Sequence, residues 1–79
     1  MFFKKYKIEM TGRAGVLYLE KGLKVTIGSE MLFGEKYDLV IYLNDPRSWR
    51  IEGEVDEDKK REIVERVKLE FKRIKVDWQ

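Results

Sequence analysis

DEDKKREIVERVKLEFKRI, residues 56–74, decides the fold. Asp56 stands where a helix N-cap belongs, and Glu57 and Asp58 place negative charge in the first turn. Ile63, Val67, Phe71 and Ile74 follow at spacings of four, four and three, with Val64 beside them. At ~100° per residue these side chains share one sector, which must bury itself against a sheet. Lys72 and Arg73 suit the negative C-terminal end of the helix dipole. Glu57/Arg61 and Glu62/Arg66 are acid-before-base pairs one turn apart. Leu69 falls on the charged side, as an isolated exposed leucine or a contact point.

The sequence upstream of this helix supplies the sheet. Tyr6, Ile8 and Met10 alternate with Lys7, Glu9 and Thr11, the period of a strand with one apolar face. Thr11-Gly12-Arg13-Ala14-Gly15 is a glycine-bounded turn, and Val16 to Glu20 a second strand. Lys21-Gly22 is a hairpin corner, and Leu23, Val25 and Ile27 define a third strand, which Gly28 breaks. Met31-Leu32-Phe33 is a short apolar piece ended by Gly34-Glu35. Lys36 to Leu43 reads as the strongest strand, with Tyr37, Leu39, Ile41 and Leu43 on one face and Asp38, Val40 and Tyr42 on the other. That second face is too apolar for free solvation. Asn44-Asp45-Pro46 is a turn. Ser48 to Glu54 is a short strand or an irregular link, and Ile74, Val76 and Trp78 make a last strand or a packed tail. The expected fold class is α+β: an antiparallel β-meander of four to six short strands packed by one C-terminal amphipathic helix.

Seventy-nine residues support one hydrophobic core and one domain. The chain has no cysteine and no histidine, so disulfides and the usual zinc ligands are absent. No stretch approaches the ~18 apolar residues of a membrane span, and Met1-Phe2-Phe3-Lys4-Lys5 carries its charges after its apolar residues, unlike a secretory leader. A cytoplasmic location is therefore expected. Basic and acidic residues nearly balance, 17 against 15, which is no general electrostatic signature of nucleic-acid binding.

Catalytic chemistry finds little to use. Without histidine or cysteine, Ser29 and Ser48 have no conventional base. Glu52 and Glu54 share one face if their segment is a strand, but a solvated strand accounts for them. The Asp56 cluster fails the calcium-loop pattern, because Arg61 stands where the loop glycine belongs. The residue 11–15 turn lacks the spacing of a phosphate loop. The chain is accordingly expected to be no enzyme and to need no cofactor or metal.

Two binding readings remain. Lys4, Lys5, Lys7 and Arg13 lie near Phe2, Phe3 and Tyr6, the composition of a single-stranded nucleic-acid platform. An edge strand guarded by lysines explains the same cluster without a ligand, so nucleic acid is the lesser reading. Trp49, flanked by Arg47 and Arg50, is either a core aromatic at the sheet–helix junction or a partly exposed interface anchor. If their strands align, Val16, Tyr18, Val40 and Tyr42 form an exposed apolar patch on the second sheet face, a surface for a partner or a second copy of the chain.

Ser29-Glu30-Met31-Leu32-Phe33-Gly34, Asp38-Leu39-Val40-Ile41-Tyr42, Ser48-Trp49 and the helix from Asp56 to Phe71 together resemble one family of bacterial immunity proteins. It belongs to the polymorphic toxin systems and is numbered seventy-four among them. The resemblance covers about residues 18–72. Where the family pattern often has proline after the tryptophan, this chain has Arg50-Ile51-Glu52. The resemblance implies a protein that neutralises a cognate toxin domain by direct binding, with Glu30, Tyr42, Asp45, Arg47, Trp49 and Arg50 as candidate contacts.

Overall fold

The computed structural model describes residues 5–11, 15–32 and 36–79. Lys4, Arg13, most of the glycine-bounded turn and the Phe33-Gly34-Glu35 break lie outside the described residues.

The chain is α+β. Its strands are β1 (Tyr6–Met10), β2 (Val16–Glu20), β3 (Leu23–Ile27), β4 (Ser29–Met31), β5 (Leu39–Ile41), β6 (Trp49–Glu52) and β7 (Val76–Trp78). A 3₁₀ turn over Pro46–Ser48 precedes β6, and helix α1 spans Glu57–Glu70. An antiparallel four-stranded sheet runs β1-β2-β3-β6, and a three-stranded sheet runs β4-β5-β7. Strands β4 and β5 are antiparallel; β5 and β7 are parallel, a departure from a pure meander.

The two sheets share one bent strand. β3 and β4 are continuous through Gly28, whose N–H bonds the Ser48 carbonyl at 2.8 Å while its carbonyl accepts from the Tyr42 N–H at 2.9 Å. Across from it, β5 and β6 are two halves of one opposing strand, interrupted by an excursion through Leu43 and the 3₁₀ turn. The excursion frees the far side of β5, and the C-terminal strand pairs there: the Gln79 N–H bonds the Ile41 carbonyl at 2.9 Å and the Asn44 N–H bonds the Gln79 carbonyl at 3.1 Å. The strand expected over residues 36–43 is thus cut to Leu39–Ile41, whose three side chains, from both expected faces, are buried, while Tyr37 and Asp38 before it are exposed.

Asp45 caps the 3₁₀ turn by accepting from the Arg47 N–H at 3.0 Å, as its side chain and the following proline favour. Asp56 caps α1 in the expected way, accepting from the Lys59 N–H at 2.7 Å. Ile63, Val67 and Phe71 are buried in one cluster with Val16, Tyr18, Val25, Ile27, Ile41 and Trp49. The helix ends at Glu70, so Ile74 does not join its buried stripe and is 43% exposed.

Registry corrects the expected exposed patch. Val16 pairs with Ile27 and Tyr18 with Val25, so both lie on the face that α1 covers, fully buried. Val40 belongs to the other sheet and is buried as well; Tyr42 alone of the four is partly exposed. The opposite face of the large sheet carries Leu17 and Leu19 among Lys7, Glu9, Lys24, Thr26, Arg50 and Glu52.

Candidate protein-binding surfaces

The densest polar arrangement joins β2 to the helix. The Tyr18 hydroxyl donates to Glu20 Oε1 at 2.7 Å, Arg66 Nη1 donates to the same oxygen at 2.9 Å and to the Tyr18 hydroxyl, and Lys59 Nζ donates to Glu20 Oε2 at 2.8 Å. Arg66 also pairs with Glu62 one turn away. Its guanidinium lies 4.3 Å from the centre of the Tyr6 ring, which stacks on Tyr18 at 5.7 Å. Burial pushes the Tyr18 phenol up to about 12, with the bond to Glu20 acting in the same direction and Arg66 against it. Hydrogen bonds from Lys59 and then Tyr18 hold Glu20 below the usual carboxylate range, against the effect of burial. Tyr18, Lys59 and Arg66 each donate to an acceptor within the chain, so the cluster ties helix to sheet.

This network changes the reading of the N-terminal strand. Tyr6 is half-buried against Tyr18 and Arg66 instead of standing free to stack on a base. Lys7 is exposed but paired with Glu9 at 2.7 Å, and Lys5 is exposed.

The six residues expected to contact a protein partner separate into two groups. Glu30 is exposed on β4, beside the half-buried Tyr42. The Tyr42 phenol is raised above its ordinary value by burial, then by the neighbouring Glu30 carboxylate and Asp77. Asp45 caps the 3₁₀ turn, Arg47 lies within it, and Trp49 and Arg50 open β6. Arg47, Trp49 and Arg50 line a shallow hollow of about 290 Å³ with Thr26, Gly28 and Ser48. Trp49 is a core residue, not a partly exposed anchor: it is 9% exposed and its indole N–H bonds the Leu43 carbonyl at 2.9 Å. The Leu43 excursion presents that carbonyl to the ring, and Lys60 Nζ lies 5.3 Å from the ring centre.

A different surface is an apolar groove. Met10 at the end of β1, Met31 on β4, Asp38 and Leu39 at β5, and Phe71 and Ile74 after the helix enclose a groove of about 250 Å³. Leu39 and Phe71 form a buried floor, while Met10, Met31 and Ile74 stand 41%, 71% and 43% exposed on its walls. The Asp38 N–H bonds the Lys75 carbonyl at 2.8 Å and fixes the turn after the helix against β5. Lys72, Arg73 and Lys75 are exposed on that turn and Lys36 precedes Asp38; among the described residues none of the four has an ion partner.

No family model, curated protein or solved structure matches the chain.

The groove was not legible as a site in the sequence. Met10, Leu39, Phe71 and Ile74 fit the alternation of a strand or the stripe of a helix and Met31 sits in a short apolar piece, so none stands out as a surface residue. The available signal was the count of basic residues after Phe71, where three of the next four are Lys or Arg and the fourth is Ile74.

Proposed function

We propose that this chain is a non-catalytic binding protein that holds a protein partner in the groove between Met10, Met31, Leu39, Phe71 and Ile74. One observation carries this reading: exposed methionines stand over a buried apolar floor, next to a turn whose Lys72, Arg73 and Lys75 have no ion partner among the described residues. Exposed apolar patches with polar rims mark interaction sites, and methionine adapts its shape to a partner. The charge of Lys36, Lys72, Arg73 and Lys75 selects an apolar segment flanked by aspartate or glutamate. Following the resemblance to immunity proteins, the partner is a toxin domain, neutralised stoichiometrically in the cytoplasm by occlusion of its surface. No helix among the described residues is long and apolar enough to cross a membrane.

The test is calorimetric titration of the purified chain with the C-terminal domain of the protein encoded immediately upstream of its gene. One-to-one binding is expected, weakened roughly tenfold or more by Met31→Lys and weakened by salt. No binding, or binding that ignores Met31→Lys and Ile74→Glu, overturns the reading.

A further inference from the structure

The two edges of the four-stranded sheet are finished differently. β1 carries Lys7 and Glu9 and is preceded by Lys5, exposed charges that discourage strand addition. β6 contains no lysine or proline, no strand pairs with its outer side among the described residues, and Arg50, Ile51 and Glu52 are all exposed.

Backbone geometry defines which groups this edge offers. The Gly28 N–H reaches the Ser48 carbonyl, so by the alternation of an antiparallel ladder Arg50 and Glu52 also turn their N–H and C=O groups toward β3. Ile51, between them, turns its N–H and C=O away from the sheet. Its side chain is opposite Val25 on the helix-covered face, yet it remains 42% exposed. On the other face Arg50 lies opposite Thr26 and has no ion partner among the described residues, while Glu52 lies opposite Lys24 in a loose 3.7 Å pair.

We propose that β6 is a self-complementary edge that pairs antiparallel with β6 of a second copy of this chain, about a two-fold axis at Ile51. A second copy fits because the strand is its own charge complement. With Ile51 opposite Ile51, the two residues exchange both N–H···O=C bonds. Arg50 of each copy then faces Glu52 of the other, in the position where cross-strand side chains approach most closely. Both ion pairs lie on the solvent face, and the two Ile51 side chains meet on the helix face, extending the cores of both copies into one eight-stranded sheet. Trp49 holds the start of the edge in place through its bond to Leu43. The contact is small beside the ~1,200 Å² of standard interfaces, so the dimer is reversible and dependent on concentration. It uses neither wall of the apolar groove.

Sedimentation velocity over a concentration series tests this. Wild-type chain is expected to pass from monomer to dimer. Arg50→Glu and Glu52→Arg, both at exposed positions, each place like charges opposite one another and raise the dimer dissociation constant roughly tenfold or more. The double variant Arg50→Glu/Glu52→Arg restores dimerisation, and so does an equimolar mixture of the two single variants. A chain that stays monomeric at every concentration, or a dimer that ignores both reversals, overturns the proposal. Toxin-domain titration of the Glu52→Arg variant keeps its wild-type result in either case, which separates this proposal from the groove.

Discussion

Tyr18 shows how much a single side chain settles here. It is fully buried with its hydroxyl in a hydrogen bond to Glu20, and its pKa is raised from 10.0 to about 12. A folded-state pKa above the unfolded value stabilises the fold below the unfolded value, so this contribution is complete below pH 10 and disappears as pH rises through about 12. Tyrosinate absorbance should show a step near pH 12, and Tyr18→Phe should abolish that step while costing about 1 kcal/mol near neutral pH. Glu20 has the opposite sign. Its pKa is depressed from 4.5, so its contribution is present above that pH and is lost as pH falls through the lowered value. Glu20→Gln should flatten the acid limb of a stability-against-pH profile. Trp49→Phe leaves the Leu43 carbonyl without its partner and should cost about 1–3 kcal/mol in a denaturant titration.

At the scale of elements, two local decisions organise the rest. The first is the helix entry, where the Asp56 side chain satisfies a free N–H of the first turn. Asp56→Ala should lower stability by about 1 kcal/mol, read as a shifted denaturation midpoint with an unchanged slope. The second is the close approach of Gly15 to the strand that bridges the sheets. Gly15 has φ +120°, and a Cβ there would lie 2.1 Å from the Ile27 carbonyl oxygen and 3.1 Å from the Ser29 nitrogen. Both the backbone conformation and the space exclude a side chain, so Gly15→Ala should cost on the order of 3 kcal/mol, the largest loss among the substitutions named here. The helix was readable because its cap and spacing are contiguous in sequence. The division of the strands between two sheets was not, because the Leu43 excursion matters only once the C-terminal strand arrives beside β5.

For the whole molecule, the proposed activity is a property of surface, and charge should tune it. Reversing Lys72 and Arg73 together to glutamate is expected to weaken toxin-domain binding and to remove most of its salt dependence, measured by calorimetry at two ionic strengths. Thermal unfolding should change little, because both side chains are exposed. The sequence by itself determined that the chain is α+β, that its helix is capped by Asp56 and buries Ile63, Val67 and Phe71, and which segments alternate as strands. Those features depend on neighbours three or four positions away, or on a period of two. Only tertiary structure decided that Val16 and Tyr18 lie beneath the helix, that Trp49 belongs to the core, and that Met10, Met31 and Ile74 meet on the surface. Burial of an apolar residue depends on what lies across from it, and here that is set by strand register and by segments far apart in the chain.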